Sequence, residues 1–304
     1  MREPEEQNPW LTLFRVGNSI TGIFGVVLGA TLATRGLPQG EEAIITALHA
    51  TSVMAFMFSW NAFNDLMDIE IDRINRPNRP LPSGVITIES ASRAVAITGI
   101  VSILTLAAAG YAAWNGETGI ENWMPALAIW GLALVLFFNY ESSSRFSFRM
   151  KDRGLPGNIA ISLAVGLVII FGAAGVSKPF DNRAWVAFIV GFLYNLSREI
   201  VKDIEDIHGD KGRTTFAMRA GVERSRLVAW AVLLAALASL LSPFVPELEI
   251  FTPWHVAFVI PAVVTLIMVK NRLFSSEDHA AQKLIKTSMQ LCLAAFFVIS
   301  LISG

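Results

Sequence analysis

The chain has 304 residues, 53% hydrophobic and only 16% charged, with a mean hydropathy of +0.52; soluble domains carry about 25% charged residues, which excludes that class and indicates a polytopic membrane protein. The formal net charge of −1 leaves no polyanion-seeking surface and argues against nucleic acid as a partner. The single cysteine, Cys292 in LCLAAFFVIS, rules out an intramolecular disulfide framework and a thiolate metal cluster.

In chain order, MREPEEQNPW is acidic and polar and has no apolar segment followed by a small-residue cleavage site, so a removable signal peptide is not expected. Crossing a bilayer takes about 20 apolar residues, and nine runs satisfy that requirement, near 11–34, 43–63, 88–113, 122–140, 157–176, 184–200, 225–245, 254–270 and 282–303. Gly and Ala at close spacing, as in GIFGVVLGATLA, suit tight helix contacts in lipid. Of the 24 Lys and Arg, only Arg35, Lys178 and Arg183 fall on the side opposite the N-terminus. That bias places the N-terminus and the charged loops in the cytoplasm of a multi-pass cell-membrane protein.

The second run is followed by NDLMDIEIDRINRPNRPLPSG (64–84) and the sixth by KDIEDIHGD (202–210). Superposed at an offset of 138, these stretches pair Asp65 with Asp203, Asp68 with Asp206 and Asp72 with Asp210. Both copies fall on the cytoplasmic side. The expected fold is therefore an all-α membrane domain spanning 1–304, built from two four-helix repeats plus a ninth helix.

If each acidic run continues its helix, positions i, i+3 and i+7 share one face. Three carboxylates on one face repel one another unless a divalent cation intervenes, and two facing clusters suit Mg²⁺, which binds a few carboxylates plus substrate phosphates. Arg73, Arg76 and Arg79 follow the first cluster and are able to contact phosphate oxygens; off the acidic face, Glu70 and Arg73 are assigned to solvent. A single acidic run would read as a solvated loop; the repeat favours a site. Polar residues in or beside the apolar runs extend it: Arg15 and Asn18 one turn apart, Asn61 and Asn64, then Asn195, Arg198, Glu199 and Lys202, and the segment holding Tyr140, Arg149, Lys151 and Asn158. Tyr140 reads equally as an interfacial belt residue. His49, His208, His255 and His279 form no metal-ligand pattern. A cation transporter is a reading of another class, but its acids would sit near the midplane in broken helices, whereas these lie at helix ends before an arginine-rich loop.

NDLMDIEIDRINRPNRPLPSG and REIVKDIEDIHGDKGRTTFAMRAG resemble the two signatures of the UbiA superfamily of intramembrane prenyltransferases, as do an early Arg-x-x-Asn (Arg15, Asn18) and a Tyr, Lys, Gly-Asn segment (Tyr140, Lys151, Gly157, Asn158). The resemblance implies that Asn64, Asp65, Asp68, Asp72, Asp203, Asp206 and Asp210 bind two Mg²⁺ and a prenyl diphosphate, and that Arg15, Asn18, Arg76, Arg79, Tyr140 and Lys151 contact the diphosphate or the acceptor. The spacing from Tyr140 to Lys151 is long for the family, which leaves Arg145 or Arg149 as alternatives for the basic role. The wording of both motifs is most similar to the archaeal branch that forms the second ether bond of archaeal lipids. That branch implies geranylgeranyl diphosphate as donor and geranylgeranylglyceryl phosphate as acceptor, with an aromatic acceptor as the alternative.

Overall fold

A computed structural model describes residues 8–141, 147–207 and 214–303. Among these residues the regular elements are all helical: α1 (Pro9–Leu13), α2 (Val16–Thr34), α3 (Gly40–Met67), α4 (Ile69–Asn75), α5 (Ile88–Asn115), α6 (Ile120–Glu141), α7 (Leu155–Gly175), α8 (Asn182–Glu205), α9 (Phe216–Ala220), α10 (Val222–Leu241), α11 (Val256–Phe274) and α12 (Asp278–Ile302), with short 3₁₀ turns between some of them. Nine of these helices are long and apolar enough to cross a membrane, and they coincide with the nine expected runs. The protein is a multi-pass membrane protein.

Glycine sets the centre of the bundle. A Cβ on Gly29 of α2 would run into the Ile169 carbonyl of α7, and one on Gly172 of α7 into the Val26 carbonyl of α2. The two backbones therefore touch, the close approach that small residues permit in lipid. Around this pair α3 packs on α2 and α5, α8 on α7 and α10, and α12 on α8 and α11. Buried hydroxyls tie the layers: Ser52 and Ser102 each donate to the other's carbonyl at 2.9 Å across α3 and α5, and Ser288 of α12 bonds Tyr194 of α8 at 2.8 Å and the Ala262 carbonyl of α11 at 2.6 Å. Every such bond satisfies a group that hydrocarbon cannot. The outer faces of α5 and α11 carry exposed Ile100, Leu104, Ile260 and Ile267, apolar surface suited to lipid.

Two departures from regular helix shape the site. The first expected run, 11–34, is not continuous: Arg15 takes a left-handed conformation (φ 47°) that separates α1 from α2. Such a backbone costs about 1–3 kcal/mol, and here it is offset by the Arg15 side chain reaching α3 and by the Phe14 carbonyl accepting from Asn61 Nδ2 at 3.0 Å. The 28 residues of α3 make about 42 Å of helix against about 30 Å of hydrocarbon. Its last turns thus emerge with the acidic run.

Candidate active site

The first acidic run keeps helical register through the junction at Asp68, where Asp68 N donates to the Asn64 carbonyl at 3.0 Å and Asp72 N to the Asp68 carbonyl at 2.8 Å. Asp68 and Asp72 consequently both reach the same cavity, whereas Asp65, a turn earlier, does not line it. The second run keeps helical register only in part, because α8 ends at Glu205 with Asp206 as its cap. Asp210, with His208 and Arg145, lies outside the described residues.

The ends of α3 and α8 open onto one cavity of about 760 Å³. Asp68, Asp72, Asp203 and Asp206 line it, together with Arg15, Asn18, Asn64, Arg76, Arg79, Tyr140, Lys151, Asn158, Arg198 and Lys202. Two helices 138 residues apart in sequence thereby present their acids to a single space. Asp65 stands behind that wall: its Oδ1 accepts from Arg15 Nη2 at 2.5 Å and Arg79 Nη1 at 3.4 Å, and it is 4% exposed. It anchors two cavity-lining arginines rather than lining the cavity itself.

Each acid on the first side meets a cation. Arg79 Nη1 lies 2.5 Å from Asp72 Oδ2, Lys151 Nζ lies 2.8 Å from Asp68 Oδ2, and Arg76 reaches across to Asp206 at 3.6 Å. Pro77 and Pro80 flank Arg79 and restrict its backbone. Glu70 and Arg73 pair with each other at 2.7 Å, both exposed, as the sequence assigned them. Asp203 is held differently, its Oδ2 accepting from Asn158 Nδ2 at 2.9 Å and from Phe216 N at 3.2 Å. That arrangement needs Gly154, which has φ +69° and whose Cβ would come 2.9 Å from Phe216 N.

Sequence reasoning missed three parts of this site. Glu141 at the end of α6 is buried and takes Lys151 Nζ at 2.5 Å, so Lys151 is shared between Asp68 and Glu141 despite its distance in sequence from Tyr140. An acid ending an apolar run was the available signal. Phe56 and Trp60 of α3 meet Trp130 and Phe137 of α6, with Trp60 and Phe137 centroids 5.2 Å apart, and form an aromatic wall in the same cavity. Aromatic residues in apolar runs give no sequence signal of facing one another. Lys286 of α12 also lines the cavity; in sequence it reads only as one more positive-inside residue.

The donor set facing the cavity is carboxylate and amide oxygen, which suits a hard cation such as Mg²⁺ and not a soft one. Among the described residues no three His, Cys, Asp or Glu side chains converge tightly enough to enclose an ion by themselves.

Among the nine spans of the described residues, α2, α3, α6, α7, α8 and α12 line one cavity, charged at one part and apolar with an aromatic wall at another, inside a multi-pass membrane protein. A profile of the UbiA prenyltransferase family matches residues 22–298. The chain belongs to that family. It is 31% identical over 295 residues to the digeranylgeranylglyceryl phosphate synthase of Methanothermobacter thermautotrophicus, covering 95% of each chain, and 33% identical over 294 residues to that of Methanopyrus kandleri, covering 94% of this chain and 97% of the other. Among solved structures it matches one of digeranylgeranylglyceryl phosphate synthase with a TM-score of 0.72 at 26% identity, over 97% of this chain and 98% of that one. A UbiA homolog from Archaeoglobus fulgidus bound to GPP and Mg²⁺ shares the fold with a TM-score of 0.65 at 18% identity, over 96% and 99% of the two chains.

Proposed function

We propose that this protein is a Mg²⁺-dependent intramembrane prenyltransferase that moves a geranylgeranyl group from its diphosphate to geranylgeranylglyceryl phosphate. One observation carries the reading: the acids and bases of α3, α4 and α8 share a single cavity with the aromatic wall of α3 and α6. A charged head and an apolar chain thus find their surroundings side by side.

Two Mg²⁺ would be held by Asp68, Asp72, Asp203 and Asp206, with Asp210 and Asn64 as further oxygen donors and Asp65 behind them, and would neutralise the diphosphate so that it departs readily. Arg15, Arg76, Arg79 and Lys151 hold phosphate oxygens through charge-assisted hydrogen bonds, and Asn18, Tyr140 and Asn158 orient the head. Trp60, Trp130, Phe56 and Phe137 present π faces to the allylic cation left at C1. The apolar lining keeps water from that cation. The acceptor hydroxyl then attacks C1, forming the ether bond as its proton is released.

The charge bias supports an orientation with the site on the cytoplasmic side. The packing also supports two repeats within one domain: α3 lies on α5 as α8 lies on α10, and α6 lies on α7 as α11 lies on α12. An acceptor panel tests the function. Purified protein with geranylgeranyl diphosphate and Mg²⁺ is expected to prenylate geranylgeranylglyceryl phosphate; turnover with hydroxybenzoate or another aromatic acceptor alone would move it to a different branch of the family.

A further inference from the structure

The cations of the cavity are not equivalent. Around Arg15, Arg76, Arg79 and Lys151, five carboxylates drawn from several helices (Asp65, Asp68, Asp72, Glu141 and the α8 cap Asp206) meet these four cations. This group has negative charge to spare and suits added cations. On the α8 and α12 side the cations are less engaged, because Asp203 accepts from Asn158 and Phe216 N and Glu205 faces His279 and Gln282. Arg198 and Lys202 share one carboxylate, Glu199, at 3.2 and 3.4 Å, and among the described residues Lys286 pairs with none. Arg198 Nε is buried and has no hydrogen-bond partner among the described residues.

The helix register confines these cations to one stretch of the contact between α8 and α12. α8 and α12 run antiparallel, tied at one rung by Tyr194 and Ser288 at 2.8 Å and at another by Glu205 and His279 at 2.8 Å. Arg198 and Lys202 fall between those rungs on α8, and Lys286 falls between them on α12. All three line the cavity. A buried guanidinium N–H without a partner, beside a lysine that has no ion pair among the described residues, is stabilised by an anion with several acceptor oxygens.

We propose that Arg198, Lys202 and Lys286 form a second anion subsite, separate from the diphosphate grip, that binds the phosphate monoester of the acceptor lipid. The assignment rests on the prenyltransferase reading and adds to it the feature that selects a phosphorylated acceptor. With the acceptor phosphate held by Arg198, Lys202 and Lys286, and the donor diphosphate by Arg15, Arg76, Arg79, Lys151 and the carboxylate-bound Mg²⁺, the acceptor's free hydroxyl is directed toward the donor. No new bond chemistry is required.

The test compares Lys286→Met with Lys283→Met, an exposed lysine one turn earlier on α12, after both variants are shown to melt with the wild type. Steady-state rates are measured with geranylgeranylglyceryl phosphate and with its dephosphorylated alcohol, and direct binding of each lipid is measured without donor. Lys286→Met is expected to raise KM for the phosphorylated acceptor about ten-fold or more, to leave KM for the prenyl diphosphate within about two-fold, and to narrow the preference over the alcohol. Lys283→Met should change none of these. An unchanged acceptor KM, an equal loss with both acceptors, or a rise confined to prenyl diphosphate would each overturn the subsite. Should the wild type bind the phosphorylated lipid through Lys286 without prenylating it, the subsite stands and the proposed acceptor falls. If inorganic phosphate competes with the lipid equally in wild type and Lys286→Met, the lysine reads neither source and the proposal fails.

Discussion

Two arginines of one short tract make opposite predictions. Arg79 lies 2.5 Å from Asp72, which is 4% exposed, and Asp72 has no other ion pair among the described residues. Arg79→Leu therefore strands a buried carboxylate, a loss of about 3–5 kcal/mol when one member of a buried pair is removed. Arg73 pairs with Glu70 on the surface, with side-chain exposures of 52% and 77%; exposed pairs contribute about 0–1 kcal/mol, so Arg73→Leu should be nearly silent. The charge itself is the cause, so adding Asp72→Asn to Arg79→Leu should recover part of the loss, with a coupling of about 0.5–3 kcal/mol. Unfolding in detergent micelles measures stability, and prenyl transfer measured beside it separates function. The double variant should regain stability while staying inactive, since both groups face the substrate head. Equal stability of the two arginine variants, or strict additivity of Arg79→Leu and Asp72→Asn, would refute the claim that the buried pair governs this corner.

Other consequences follow from the same geometry. Asp68→Asn and Asp203→Asn should each lower turnover by about a hundred-fold or more while the helical circular dichroism persists, and chelation should abolish activity that added Mg²⁺ restores; activity surviving a chelator would count against metal dependence. Glu141→Gln keeps an acceptor for Lys151 but removes the charge that shares it with Asp68. Its expected signature is a weaker hold on prenyl diphosphate, seen as a raised KM for the donor, and an unchanged donor KM would argue that Lys151 needs no such anchor. Gly29→Leu drives a side chain into the Ile169 carbonyl, an overpacking that costs about 1–3 kcal/mol or more. A matched Gly17→Leu, where a Cβ meets nothing within 4 Å, should leave the melting temperature close to that of the wild type.

The properties legible in the sequence are those each segment carries by itself. Twenty apolar residues bury their own backbone in a helix whatever their neighbours do, so nine spans could be counted directly. The acid spacing i, i+3, i+7 sets a helical face as soon as the helix continues, which it does through Asp72. A helix that ends removes that warrant, and α8 ends at Glu205. Arg15 is the converse case: its apolar surroundings read as uninterrupted helix, yet α2 begins one residue later because a guanidinium in that position gains more from Asp65 and Asn64, about 50 residues away in sequence, than from helical backbone geometry.

Partner choice was decided by tertiary structure alone. That Lys151 divides itself between Asp68 and Glu141, that Asp65 stands behind two arginines, that Trp60 meets Phe137, and that Lys286 lines the same cavity as Arg198 all depend on which helix faces touch. Those faces are set by glycine contacts such as Gly29 on Ile169 and Gly172 on Val26. Charge and hydropathy are properties of a residue and survive in a linear string. Whether a charge is spent on a neighbour or remains in surplus for a ligand depends on packing distances between helices far apart in sequence, and only the folded bundle supplies them.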